Sequence, residues 1–312
     1  MVLRKIQPMQ EMIADNRIAL MIAGPLHPNT LKNIVLNAEV FNEIVVSTWL
    51  PTDAREVGIL SEISSREIVT VVQQPLPTIS SQVFNPANLM LQAISVRSGM
   101  GRVLSPNVVK CRSDEYFNLS KFVNDFRKLP NKPLFANWLV REWDQHPFHG
   151  SDHLFASAST LALSAYDRIL TAIENKDEEW AALITDPAPE QLLTLALLAG
   201  QFEVSSLLTM TKKEGFRVFR HYFRLCSIED LKPYEIRANH AGLVNVNEFR
   251  KYASPWNLDN HWGLSNFSNI RQLRPRSPLC RGLRQTIYSA IRMQARIMKK
   301  LRAMLAREAA GR

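Results

Sequence analysis

Residues 17–25 read RIALMIAGP, a short apolar run that stops at a glycine and a proline. A run of this length, bounded by turn residues, is typical of a strand buried on both faces of a parallel sheet. The following segment, residues 31–41 (LKNIVLNAEVF), is predicted to be a helix that begins after a cap at Asn29 or Thr30. Its predicted apolar face comprises Leu31, Ile34, Val35 and Ala38.

The same alternation of strand and helix continues along the first 120 residues. Further strands are predicted at 43–47 (EIVVS), 68–72 and 107–111 (NVVKC), with a crossover at 51–66 and a helix at about 86–98. Repeated units of this kind specify a mostly parallel sheet with helices on both faces. The fold class is therefore predicted to be α/β.

The second half of the chain continues the sheet less regularly. Strands are predicted at 134–140 and 154–158, and the pattern from residue 161 to about 213 is helical. We expect one domain over residues 1–277, with a first half of about 15–120 and a second half of about 121–277. Residues 278–312 are expected to form a separate appendage.

Charge is distributed unevenly over the 312 residues, whose formal net charge is +9. The segment from Arg271 to Arg312 contains twelve basic residues and a single acid, Glu308, so it carries +11 and the rest of the chain −2. A protein that binds nucleic acid over its main surface would show the opposite distribution. We therefore expect no nucleic-acid partner for the body of the protein.

Cysteine usage and the apolar runs favour the cytoplasm. The three cysteines lie far apart, with no pair at metal-ligand spacing. In the N-terminal segment, polar residues interrupt each apolar stretch before it is long enough to form the hydrophobic region of a signal peptide. The longest apolar run, residues 192–200, is less than half of the roughly 20 residues that cross a bilayer.

Residues that follow the predicted strands are the first candidates for a binding site, because ligands of parallel sheets lie beyond the carboxyl ends of the strands. These candidates are Gly24, Pro25, Ser47, Thr48 and the run 112–115 (RSDE). Within that run, Asp114 and Glu115 are adjacent acids of the kind that holds a divalent cation on a diphosphate. The alternative is that both acids are ordinary turn residues.

A second group of polar residues precedes the predicted strand at 154–158. Asp152 could accept the proton of an acceptor hydroxyl as a general base, or it could only cap a turn. The histidines at 146, 149 and 153 have spacings that could bind zinc on a helix, but Pro147 and Gly150 argue against a helix there. Phosphate-binding glycine loops and the G-x-S-x-G motif are absent from the sequence, which disfavours kinases, dehydrogenases and hydrolases.

Four motifs, in order and spacing, resemble the WavE lipopolysaccharide synthesis family of glycosyltransferases. They are Gly24-Pro25, Ser47-Thr48-Trp49, Asn88-x-x-x-Gln92-x-x-Ser95 with Gly99, and Lys110-x-Arg112-Ser113-Asp114, and Ser151-Asp152 is a less specific fifth. The resemblance covers roughly residues 15–160. It implies a GT-A-like fold, with a nucleotide-activated sugar across the strand ends and Asp114 facing Mn²⁺ or Mg²⁺. It further implies that Asn88, Gln92 and Arg112 shape or neutralise the donor site.

Residues 283–305 separate into an apolar and a basic half on a helical wheel. A basic amphipathic helix of this kind lies in the headgroup plane of an anionic leaflet. The alternatives are a helix packed on the domain and a nucleic-acid-binding tail. The apolar half comprises Leu283, Ile287, Ala290, Ile291, Met293, Ile297, Met298, Leu301, Met304 and Leu305.

These features together predict a glycosyltransferase at the cytoplasmic face of the inner membrane. It would move a sugar from a nucleoside-diphosphate donor to a lipid-linked saccharide, in lipopolysaccharide or capsule assembly. The alternative is a non-catalytic interaction protein on an α/β scaffold, bound to a membrane or nucleic acid through its tail.

Overall fold

The apolar run at residues 17–23 forms a central strand of a seven-stranded sheet in the computed structural model. The structure describes residues 16–77, 86–129, 132–136, 148, 150–174, 189–226 and 228–235. The strands of the large sheet are β1 (Ile18–Ala23), β2 (Glu43–Trp49), β3 (Val69–Gln74), β4 (Asn107–Arg112), β6 (Leu134–Ala136), β7 (Leu154–Ala158) and β8 (Arg224–Cys226). Two short strands, β5 (Tyr116–Phe117) and β9 (Tyr234–Glu235), pair separately.

The sheet order is β3-β2-β1-β4-β7-β6-β8. Strands β1 to β4 are parallel, and β7 alone among the seven described strands runs antiparallel to both of its neighbours. All six residues of β1 are buried, as expected of a strand covered on both faces. The predicted α/β class with a mostly parallel sheet is thus confirmed.

Helices cover both faces of this sheet. They are α1 (Pro28–Asn37), α2 (Ala54–Ser64), α3 (Pro86–Met100), α4 (Ser120–Arg127), α5 (Ser159–Glu174), α6 (Pro189–Leu198), α7 (Val204–Thr209) and α8 (Lys212–Tyr222). Alternate residues of the strands face two separate cores. Met21, Val45 and Val108 belong to the core on one face, and Leu20, Val46 and Val109 to the core on the other.

The predicted apolar face of α1 is wrong in one respect. Val35 is 61% exposed, whereas the face turned inward carries polar residues. The buried residues of α1 are Asn29, Thr30, Asn33, Ile34 and Asn37. The polar side chains among them donate hydrogen bonds to the backbone of residues 113–117.

Several predicted elements have other bounds or lie outside the described residues. Strand β2 extends two residues beyond the predicted end, to Trp49, and β6 is described only as far as Ala136. The predicted basic amphipathic helix at 278–312 lies outside the described residues, so it remains a prediction. Within the described part of the chain, no helix is long and apolar enough to cross a membrane.

Candidate active site at the carboxyl ends of the strands

Backbone hydrogen bonds join the carboxyl ends of β1, β2 and β4. The amide of Gly24 donates to the carbonyl of Ser47 (3.1 Å), and the amide of Ser113 donates to the carbonyl of Ala23 (3.1 Å). Gly24 has φ +132°, and a Cβ at this position would lie 2.5 Å from Oγ of Ser113. Glycine is therefore required where the chain leaves β1 and passes close to the segment after β4.

The residues that end β2 are buried rather than exposed to a ligand. The hydroxyl of Ser47 donates to the carbonyl of Ser95 in α3 (2.6 Å), and the hydroxyl of Ser95 donates back to the carbonyl of Ser47 (3.2 Å). A Cβ on Gly99 would lie 2.9 Å from Cβ of Ser47, so α3 approaches β2 closely. The Ser-x-x-x-Gly spacing in α3 thus serves this packing, and Thr48 beside it is also completely buried.

Three asparagines at successive turns of α1 hold the segment that follows β4. Asn29 Nδ2 donates to the carbonyl of Asp114 (3.0 Å), and Asn33 Nδ2 donates to that of Glu115 (2.5 Å) while its Oδ1 accepts from the amide of Phe117 (3.1 Å). Asn37 completes the series by bonding to backbone groups of residues 117 and 119. We call this set of three side chains the asparagine ladder. It fixes the backbone on which the strand-end acids lie.

Arg112 and Asp114 form a two-point ion pair at the end of β4. Arg112 Nε and one terminal nitrogen donate to the two carboxylate oxygens of Asp114, at 2.9 and 3.0 Å. Each side chain is 22% exposed. Burial by itself lowers the pKa of Arg112, but the hydrogen bonds and charge of Asp114 outweigh it and raise that pKa, so the guanidinium stays charged.

Glu115, the neighbouring acid, faces the opposite way. Its side chain is fully buried, and its Oε1 lies 2.8 Å from Nδ1 of His153. Asp114 lies in the turn that follows β4, and Glu115 comes immediately after that turn. The two acids therefore have different partners.

Asp152 lies beside His153, and its side chain is 7% exposed. Its Oδ2 accepts a hydrogen bond from Nε2 of Gln92 in α3 (2.7 Å). The ammonium group of Lys110, a buried lysine of β4, donates to the backbone carbonyl of Asp152. Oδ1 of Asp152 lies 3.5 Å from Nε2 of His153. Three segments distant in sequence, namely α3, β4 and the segment before β7, therefore meet at this aspartate.

The charges of this cluster shift the protonation equilibria. Burial alone would raise the pKa of Asp152, but the charges of His153, Lys110 and Arg112 and the bond from Gln92 together lower it well below its usual range. Burial would lower the pKa of His153, yet the charges of Glu115 and Asp152 raise it. For Lys110, burial has the largest effect and lowers the pKa. Because its own pKa is lowered, Asp152 is ionised at neutral pH.

One more carboxylate approaches this cluster from the first turn of α6. Asp152, His153 and Glu190 each place one possible ligand atom within 4.8 Å of the others. One imidazole and two carboxylates form a donor set that suits a divalent cation. Of the residues that the structure describes, this is the group of three whose side chains could hold a metal ion.

Several residues that the sequence analysis singled out lie at this edge of the sheet. Gln92 bonds to Asp152, and Arg112 pairs with Asp114. Glu115 lies against His153, whereas Ser47 and Thr48 are buried. Asn88 lies in α3, but its side chain is outside the described residues. Glu190 and the asparagine ladder were not singled out from the sequence. Lys110 was named only within a motif, and His153 only as a possible zinc ligand on a helix. The i, i+4, i+8 spacing of the asparagines was the available signal for the ladder.

No protein-family model matches this sequence, and no curated protein matches it. The resemblance to the WavE family therefore remains an inference from the motifs quoted above.

Several solved structures match part of this chain at low identity and low TM-score. TarS 1–349 of S. aureus has a TM-score of 0.36 and 12% identity, over 66% of this chain and 70% of that one. The WbbM bifunctional glycosyltransferase has a TM-score of 0.36 and 10% identity, over 81% and 52%. The glycosyltransferase GlyE of Streptococcus pneumoniae TIGR4 has a TM-score of 0.34 and 15% identity, over 73% of this chain and 54% of that one. Similarities of this size do not identify an activity.

Proposed function

We propose that this protein is a glycosyltransferase that moves a sugar from a nucleoside-diphosphate donor to a lipid-linked saccharide. The observation that carries the proposal is the position of Asp152. Its ionised carboxylate is held by Gln92 and belongs to the same charge network as the partly exposed Arg112–Asp114 pair at the strand ends. One edge of a parallel sheet thus offers an anion-binding group and a carboxylate base together.

Arg112 is the proposed diphosphate contact. Its guanidinium is charged, 22% exposed and held in place by Asp114. Planar donors of this kind recognise phosphate oxygens, and they stabilise the negative charge that develops on the leaving diphosphate.

Asp114 fits the role of a ligand to the proposed Mn²⁺ or Mg²⁺ better than Glu115 does. Its carboxylate is partly exposed, whereas that of Glu115 is fully buried against His153. A divalent cation on a diphosphate commonly takes one or two protein carboxylates, with phosphate and water as its other ligands. Such a cation would supply Lewis-acid stabilisation of the leaving group. We propose Asp114 as its ligand, with Glu115 positioning His153.

Asp152 is the proposed general base. In the transfer step, the acceptor oxygen forms a bond to the sugar carbon, the bond from that carbon to the diphosphate breaks, and the hydroxyl proton passes to the carboxylate. The lowered pKa of Asp152 keeps the group in the ionised form that a base requires.

The acceptor and the membrane location rest on the basic tail and on the WavE resemblance. A lipid-linked acceptor is presented at a bilayer surface, and a basic amphipathic helix would hold the enzyme there. We propose the cytoplasmic face of the inner membrane as its location.

Binding of UDP-, GDP-, ADP- and CMP-sugars to the purified chain, with and without Mn²⁺, tests the function. We expect one nucleotide class to bind, with weaker binding by Asp114→Asn. Asp167→Asn is the control, because that acid is exposed and pairs with Arg97 instead. If none of the donors binds, the proposal is wrong. If Asp114→Asn also leaves cellular glycans unchanged while loss of the tail abolishes function, the interaction-protein alternative is favoured.

A further inference from the structure

We propose that Asp152, His153 and Glu190 form a binding site for a divalent transition-metal ion, separate from any cation on the donor diphosphate. The site joins the start of β7 to the first turn of α6, two places 37 residues apart in the chain. The site does not require that the protein transfers sugar. It competes with one part of the proposed function, because an Asp152 carboxylate bound to a metal ion is no longer free to act as the general base.

The first observation is the distance between Asp152 and His153. Oδ1 of Asp152 and Nε2 of His153 are 3.5 Å apart, which is longer than a normal hydrogen bond. Two ligand atoms that each lie about 2.0 to 2.2 Å from one metal ion are themselves about 3 to 3.6 Å apart. The pair therefore has the spacing of two ligands of one ion.

The second observation is that Oδ1 of Asp152 is buried and has no hydrogen-bond partner among the described residues. The side chain is 7% exposed, so bulk water does not solvate this oxygen fully. A buried charged oxygen without a partner is costly, and a metal ion at this position would satisfy it.

The third observation is the way in which both ligands are held. Nδ1 of His153 faces Oε1 of Glu115 at 2.8 Å, and Oδ2 of Asp152 accepts from Gln92 at 2.7 Å. A metal-bound histidine characteristically donates its other ring N–H to a carboxylate, which fixes the ring and increases the basicity of the ligating nitrogen. Two of the three proposed ligands, His153 and Asp152, are thus each held by an orienting side chain.

The local charge also favours a divalent ion. Two of the three proposed ligands are carboxylates, whose charged oxygens are suitable ligands for a divalent ion. An imidazole ligand favours Zn²⁺ or Mn²⁺ over Mg²⁺, and the general affinity order places Zn²⁺ above Mn²⁺.

Metal titration of the full chain, first stripped with a chelator, tests this site. We expect one equivalent of Zn²⁺, measured by competition with a chromophoric chelator, weaker binding of Mn²⁺ and no competition by Mg²⁺. Glu190→Gln should weaken Zn²⁺ binding at least 100-fold, and Asp152→Asn should do the same. Glu203→Gln is the matched control, since that glutamate is exposed at the start of α7 and lies outside the cluster.

Thermal unfolding provides a second readout. A ligand that binds only the folded protein raises its Tm, so Zn²⁺ should stabilise the wild type and Glu203→Gln but not Glu190→Gln. Equal Zn²⁺ affinity of wild type and Glu190→Gln, or no stoichiometric binding by the wild type, would overturn the proposal. Because Glu190→Gln leaves the Asp152 carboxylate intact, loss of Zn²⁺ binding with unchanged nucleotide-sugar binding separates this proposal from the proposed function.

Discussion

The first prediction concerns the asparagine ladder. Replacing Asn37 should destabilise the protein, although this residue is polar and lies on a short helix. Asn37 Nδ2 donates to the carbonyls of Phe117 (2.8 Å) and Asn33 (2.9 Å), and its Oδ1 accepts from the amide of Leu119 (2.9 Å). Its side chain is completely buried. Asn37→Ala would remove all three bonds at once.

The expected magnitude follows from the groups left behind. Carbonyl 117 and amide 119 would be buried backbone groups without their partner, and each such group costs about 1 to 3 kcal/mol. Asn37→Ala should therefore lower the free energy of unfolding by about 2 to 6 kcal/mol, a large part of the about 5 to 15 kcal/mol typical of a folded domain. Asn37→Leu should cost about as much, because it restores volume but no hydrogen bond.

Urea unfolding followed by circular dichroism measures this change, and hydrogen exchange of the peptide 113–120 locates it. Val35→Ala is the control, since Val35 is on the same helix but 61% exposed, and a surface change of this kind usually stays within about 0.5 kcal/mol. If Asn37→Ala and Val35→Ala have equal stability and leave exchange at 113–120 unchanged, the ladder does not hold this segment.

Three further changes have defined outcomes. Gly24→Ala should lower the Tm, because the added Cβ would lie 2.5 Å from Oγ of Ser113. The double variant with Ser113→Ala should recover only part of the lost Tm, since φ stays at +132°. Full recovery would contradict backbone strain at Gly24. Asp152→Asn should reduce turnover by about two to four orders of magnitude while donor binding persists, and an equal loss of donor affinity in calorimetry would rule out a purely basic role. Removal of residues 278–312 should leave a folded protein that no longer sediments with anionic vesicles; unfolding of the truncated chain would show that the tail belongs to the core. Salt should weaken the binding of the intact chain to these vesicles, because the attraction is partly electrostatic.

Local pattern accounts for the part of the fold that was predicted correctly. The strand at 18–23 is apolar at every position and ends at Gly24, so its identity follows from a few neighbouring residues. Its repetition at 43–47 and 107–111 predicts a parallel sheet, because short strands joined by helices return in the same direction. The strand ends could then be assigned to one edge, which is why the residues from 112 to 115 were predicted as candidates for a site.

The orientation of individual side chains could not be predicted in this way. Asp114 and Glu115 are adjacent in sequence, but one forms a partly exposed pair with Arg112 and the other is buried against His153. Only the path of the segment after β4, and the arrival of β7 beside β4, determine which acid faces which partner.

The buried face of α1 is a second case in which the sequence pattern did not predict which side chains are buried. Hydrophobic periodicity placed Val35 inward, because it assumes that apolar residues are buried and polar residues exposed. In the folded chain, asparagines take the inward positions, since the backbone of residues 114–119 offers them hydrogen-bond partners about 80 residues away. The sequence by itself determined that the chain forms strands, helices and a parallel sheet, because these depend on short-range periodicity. The tertiary structure alone decided which polar groups are buried together, because burial of a polar group depends on partners that sequence proximity does not supply.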